Sequence, residues 1–357
     1  MPVTQAGPDR GDGVQFNCTS IPLVLYQSRY REIRADFRGF SPADGQRFAT
    51  MRAWDSFWES YRMTKTFLLG VGAQKAGTTW LHEFLRHHPD CAIGPIKELH
   101  AFPTLSERAE NANIHQERLE TLTQAIEALT GADAQDRAQA NRAFERAMDA
   151  VSATMGLPHY LSYFDRVVAQ NPNASLTGEI TPAYSGLEET RFRRLRDALE
   201  ARGYRIKVVF LMRDPVDRCY SALRMGVRNT FGTPEAYERA RQNFGKSAKA
   251  DWQEKRTKYD VILPKLERVF PAEDIHYGFY ETLFDQSHVD AICDFLGIRR
   301  QDANLNAKSN ASPKTDNPDP QALRGVAEHY RGAYEYCADR FGDAFIRKIW
   351  PYAALLD

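Results

Sequence analysis

The stretch "FLLGVGAQKAGTTWLHEFLRHHPD", Phe67 to Asp90, decides how the chain is read. With Thr66 before it, the run "TFLLGVG" is short, apolar and ends in glycines, the pattern of a strand buried in a parallel sheet. The following "TTWLHEFLRHHP" keeps Trp80, Leu81, Phe84 and Leu85 on one helical face, and Pro89 closes it. A strand that passes through a glycine turn into a helix aims several backbone N–H groups and the positive end of the helix dipole at one point. Such a point attracts phosphate or sulfate. Gly72 and Gly77 let an anion approach the backbone closely, Lys75 brings a point charge, and Thr78 and Thr79 offer hydroxyls beside free N–H donors. The bland alternative is an ordinary capped connection, and Lys, Gly, Thr and Thr packed between positions 75 and 79 argue against it.

Working outward, "RIKVVFLM" (Arg205 to Met212) and "DIHYGFY" (Asp274 to Tyr280) read as two further buried strands separated by helical stretches. The alternation predicts an α/β chain with a parallel central sheet, helices on both faces and a P-loop-like nucleotide-binding fold. One domain over 1–357 is expected. It carries an N-terminal helical extension, 1–65, with a helix opening near Ser41, and a helical insertion, 105–155, rich in Ala, Glu, Gln and Arg. A polar, proline-marked loop holds Lys308 and Lys314, and an amphipathic helix from Gln321 to Phe341 follows.

Among the 357 residues, Lys plus Arg total 47 and Asp plus Glu total 47, so no global charge calls for nucleic acid or an anionic membrane, and any basic site is local. The five cysteines are widely spaced with no C-x-x-C pair, which speaks for reduced core thiols rather than disulfides or zinc. The first forty residues lack an export pattern and the run "IPLVLY" is too short to span a bilayer, so a cytoplasmic protein is expected.

A kinase-type loop, G-x-x-x-x-G-K-[ST], sets its lysine directly after the last glycine and a hydroxyl for Mg²⁺ behind it. Here Thr78 occupies the lysine's place and the lysine comes early, an arrangement suited to a phosphosulfate without a metal. "QKAGTTWL" resembles the 5′-phosphosulfate loop of the sulfotransferases that use 3′-phosphoadenosine-5′-phosphosulfate (PAPS). "VVFLMRDPVDRCYS" is similar to the strand, loop and helix that hold the 3′-phosphate in that family, with Arg213 and Ser221 at the matching positions. The resemblance implies that Gln74, Lys75, Ala76, Gly77, Thr78 and Thr79 cradle the 5′ end. Trp80 then either stacks on adenine or packs in the core, and Tyr280 of "FYETL" borders the nucleotide. Lys308 and Lys314 sit where the family has a basic loop closing over the donor, without its R-K-G pattern.

"GPIKELHAF", Gly94 to Phe102, resembles the E-x-H-F-F segment of the heparan-type and bacterial branches, which makes Glu98 the general base and His100 its neighbour. Since the cytosolic branch uses histidine, His100 is the competing base, and Lys97 either lowers the Glu98 pKa or helps hold the sulfonate. "TGEITPAYS", Thr177 to Ser185, is similar to a G-E-K-[ST]-P-x-Y stretch with Ile180 in the lysine's place; Glu179, Thr181 and Tyr184 are either pocket residues or structural. "LPHYLSYFD", Leu157 to Asp165, lines the acceptor side or packs in the core. The implied activity is sulfuryl transfer from PAPS to a hydroxyl, or an amine, of a small-molecule, lipid or carbohydrate acceptor. A P-loop kinase or NTPase and a non-catalytic nucleotide-binding protein are the alternatives.

Overall fold

Strand β1 (Thr66–Gly72) is the central strand of the sheet, with all but its first residue buried. The computed structural model describes residues 65–102, 108–230, 232–306 and 317–357, all within one unit, Thr64–Asp357. The N-terminal extension and the helix expected from Ser41 lie outside the described residues, as do Lys308 and Lys314.

Five strands pair in the order β2-β3-β1-β4-β5, every pair parallel: β2 is Cys91–Ile93, β3 Leu176–Ile180, β4 Arg205–Met212 and β5 Ile275–Phe279. From β1 the chain passes through helix α1 (Thr78–Arg86) to β2 on one side. It crosses an insertion of two helices, α2 (Arg108–Gly131) and α3 (Arg137–Ala153), and helix α4 (Leu157–Gln170) before returning as β3. Helix α5 (Glu189–Glu200) then leads past β1 to β4, and helix α6 (Pro215–Thr230) opens the connection to β5. Right-handed crossovers running to opposite sides of β1 put helices on both faces. They also make the carboxyl ends of β1 and β4 the point where the connections diverge, the place where open α/β sheets bind ligands.

Two strands were not read from the sequence. β2 is three residues long, and β3, "LTGEI", is polar where a core strand is normally apolar. Its polarity is accommodated residue by residue: the Thr177 hydroxyl donates to the Ala92 carbonyl at 2.8 Å, and Gly178 lies so close to β1 that a Cβ would fall 2.1 Å from the Leu68 oxygen. The aromatic stretch on α4 turns into the core, with the Phe164 and Tyr160 rings 4.8 and 6.5 Å from that of Phe67. Of its two readings, the core one holds.

Candidate active site

The loop after β1 turns on residues in left-handed conformations. Lys75 has φ 72° and Gly77, which precedes α1, has φ 87°. A Cβ at Gly77 would sit 2.5 Å from Leu283, so space as well as conformation demands glycine. The first turn of α1, from Thr78, has no acidic side chain and exposes N–H groups that lack intrahelical acceptors. Lys75 Nζ lies 3.6 Å from Met225 Sδ on α6. Burial, then the charges of Arg228, Arg213 and Arg224, lower its pKa to about 8, against a smaller pull from Glu98. An ammonium under such repulsion gains from any anion placed among these groups.

Arg213 comes from the end of the neighbouring strand. Its guanidinium donates to the Lys75 carbonyl at 3.2 Å and stacks 4.4 Å over the Tyr280 ring, while Nε is buried with no hydrogen-bond partner among the described residues. The two loops expected to grip opposite ends of one nucleotide are therefore in contact. Asp214 ties the Arg213 loop to α6 and to the C-terminal segment: its carboxylate accepts from Val216 N–H (2.9 Å) at the start of α6, the Tyr334 hydroxyl (2.7 Å) and Tyr352 N–H (3.1 Å). Burial pushes the Asp214 pKa up to about 7. Asp214 N–H in turn donates to Glu281 of "FYETL" at 3.0 Å. Trp80 is only 5% exposed, donates from Nε1 to the Asn304 carbonyl at 3.0 Å and stacks on Phe84, yet one edge reaches the cavity.

Glu98 and His100 are held in the loop after β2 with φ 62° and 46°. Together with Lys75 they are the non-glycine residues of positive φ among the described residues, a conformation costing on the order of 1–3 kcal/mol each. One Glu98 oxygen contacts the Lys97 ammonium and the other lies 3.3 Å from His100 Nε2. Burial alone would raise the Glu98 pKa; the bond to His100 and the Lys97 charge outweigh it and bring the value down to about 2. Its side chain remains 34% exposed, facing the cavity.

The scaffold under this loop is the "GEITPAY" segment. Glu179 accepts from Leu99 N–H (3.3 Å), the Thr181 hydroxyl (2.5 Å) and the Tyr184 hydroxyl (3.0 Å), and that same tyrosine oxygen accepts from Ala101 N–H (3.1 Å). Burial raises the Glu179 pKa and the donors from Thr181, Tyr160 and Tyr184 oppose it. Glu179, Thr181 and Tyr184 thus lie beneath the pocket, the structural one of their two readings, and Pro182 alone of the segment is on its lining. From the insertion, Arg118 donates to the Glu98 carbonyl at 3.0 Å, the Leu99 carbonyl at 2.9 Å and the Ala150 carbonyl at 3.0 Å. Sequence reading missed this clamp, since nothing separates Arg118 from the other charges of a solvated helix.

These groups surround one open cavity of about 1170 Å³, lined by Gln74, Lys75, Gly77, Thr78, Thr79 and Trp80 on one wall and by Lys97, Glu98 and His100 on another. Arg213, Ser221 and Tyr280 complete the lining, while Ala76 is buried behind the loop. Arg224, Met225 and Asn229 of α6 were also missed. Their signal was present, because with Ser221 they recur at helical spacing on one face.

Residues 68–302 match the Sulfotransferase family. The chain belongs to this family. No match is found among curated protein sequences. Similar solved structures include a sulfotransferase from Alicyclobacillus acidocaldarius (17% identity, 80% of this chain and 96% of that one, TM-score 0.48). Others are the sulfotransferase domains of the Synechococcus PCC 7002 olefin synthase (21%, 75% and 88%, 0.40) and of the curacin biosynthetic pathway (20%, 73% and 77%, 0.38). No described helix of this sulfotransferase is long and apolar enough to cross a membrane.

Proposed function

We propose that this sulfotransferase moves a sulfuryl group from PAPS to a hydroxyl, or an amine, of a small acceptor, with Glu98 accepting the proton. One observation carries the reading: the residues forced into left-handed conformations, Lys75, Glu98 and His100, converge on a single cavity with Arg213. Strain of this kind is retained where function needs a fixed geometry. The donor fits the residues present. The orphaned Arg213 Nε and the unpartnered Gln74 Oε1 are buried at the two loops, and the α1 N-terminus with Lys75 is an anion site. Arg213 and Ser221 would hold the 3′-phosphate, and Lys75, Gly77, Thr78 and Thr79 the 5′ group, with Trp80 and Tyr280 beside the nucleoside.

The donor supplies an electrophilic sulfur and a phosphate leaving group. Bound here, the donor would pass its sulfuryl group to the acceptor oxygen, the sulfur–oxygen bond to the phosphate breaking with its electron pair onto the bridging oxygen of the departing 3′,5′-bisphosphoadenosine (PAP). Lys75 neutralises the charge growing on that oxygen. As the acceptor oxygen bonds sulfur its proton becomes strongly acidic, so a carboxylate with a pKa of about 2 is a sufficient acceptor for it. His100 and Lys97 hold that carboxylate in place. The kinase alternative lacks support at its key position, which is Thr78.

Calorimetry with PAP and a labelled-sulfate transfer assay test the proposal. Lys75→Ala and Glu98→Gln are both expected to abolish transfer, and only the first to weaken PAP strongly. Removing the guanidinium in Arg213→Ala should cost on the order of 2–5 kcal/mol of PAP binding. Absence of PAP affinity in the unaltered protein would overturn the reading.

A further inference from the structure

The cavity contains a further cation, Arg224, which the donor reading assigns to neither anionic end of the nucleotide. Helix α6 starts at the Arg213 corner and carries Ser221, Arg224, Met225 and Asn229 along one face, all on the cavity. Arg224 lies about 4.5 Å farther along the helix axis than Ser221, three residues at the helical rise. Its guanidinium rests 4.9 Å over the Tyr220 ring, which fixes its plane. Its Nε is buried without a hydrogen bond, and no carboxylate lies within ion-pair reach of it among the described residues. Of the other cations on the lining, Lys97 is held by Glu98, Arg118 by three carbonyls and Arg213 by the Lys75 carbonyl and Asp217, while Lys75, against Met225 Sδ, is the one the donor reading gives to the 5′ group. Glu117, the lining carboxylate contributed by α2, is exposed and makes no ion pair with Arg224.

We propose that the acceptor carries an anionic group, a carboxylate or a phosphate, that pairs with Arg224 while its hydroxyl faces Glu98. This rests on the donor reading above, which assigns the two anionic ends of the nucleotide to Lys75 with the α1 N-terminus and to Arg213 with Ser221. The guanidinium offers a planar, pre-oriented fork suited to either oxyanion. Met225, whose Sδ lies against Lys75, and Ile114 add apolar surface to the same lining.

The test uses the full chain saturated with PAP and three probe series of equal chain length: ω-hydroxyalkanoates, ω-hydroxyalkyl phosphates and alkanediols. Calorimetry should give at least one anionic probe an affinity about tenfold or more above its diol. The two anionic series tell carboxylate from phosphate. Arg224→Ala should erase that preference and leave PAP affinity within about twofold, and Arg224→Lys should restore part of it. Melting curves check that each variant is folded, with Arg224→Gln as a second neutral replacement. The inference is overturned by equal binding of diols and anions at every length, by a preference that survives Arg224→Ala, or by a tenfold loss of PAP affinity in that variant, which would assign Arg224 to the donor. PAP binding without charge preference defeats this inference alone. No PAP binding at all defeats the donor reading beneath it as well.

Discussion

Lys75 titrates near 8 because burial and three arginines work against its charge. Only the protonated form serves an anion, so PAP affinity is expected to hold up to about pH 8 and to fall above it, by at most about tenfold per pH unit. Calorimetry at neutral and alkaline pH checks this, and the alkaline fall should be missing in Lys75→Ala. Glu98 behaves in the opposite sense. Its pKa is depressed to about 2, so the carboxylate persists through mildly acidic pH and is lost only as pH approaches that value. The acid limb of kcat/KM is thus expected far below the ordinary glutamate range. A limb in the imidazole range that disappears in His100→Asn would move the proton acceptor to His100. At this scale the sequence was informative because each residue stood in a recognisable run: Lys75 before Gly77, Glu98 before His100, Arg213 at a strand end. It was silent on Arg118 and Arg224, whose importance comes from what lies across from them in space.

At the scale of elements, the strands with plain apolar character, β1, β4 and β5, were legible, and β2 and β3 were not. The reason is physical: β3 needs Glu179 at a position where propensity favours an aliphatic residue, because that carboxylate collects two hydroxyls and the Leu99 N–H of the loop that carries Glu98. Between β2 and β3 the chain forms helices α2 and α3, and their contact with the Glu98 loop, a guanidinium on backbone carbonyls, has no signal in the sequence. Releasing that contact with Arg118→Met should let Glu98 and His100 relax. A fall in kcat of about 10–100-fold is expected with PAP affinity unchanged, since small misplacements of a positioned group cost that much. Steady-state kinetics beside calorimetry measure it. An equal fall in PAP affinity would show damage spreading beyond the loop.

At the scale of the whole chain, the sheet gathers the described candidate residues at its carboxyl edge, and the C-terminal helices, beyond the 68–302 family match, brace that edge through Tyr334 and Tyr352. Asp214 is the joint. It receives Tyr334 and Tyr352 from the C-terminal segment and caps α6, which carries both Ser221 and Arg224. Asp214→Ala strands these donors and is expected to destabilise the fold by on the order of 2–4 kcal/mol, read from denaturant unfolding. Stability equal to that of the unaltered chain would mean that the C-terminal brace is held by packing alone.

The Arg118 clamp has a consequence for anyone redesigning this enzyme. Because the helical hairpin α2–α3, which lines the cavity through Ile114, Glu117, Arg118 and Thr121, also pins the Glu98 loop, the shape of that wall and the placement of Glu98 are mechanically joined. Exchanging that hairpin for another to change the substrate would slacken the catalytic geometry too, unless the graft brings an equivalent guanidinium to the same two carbonyls.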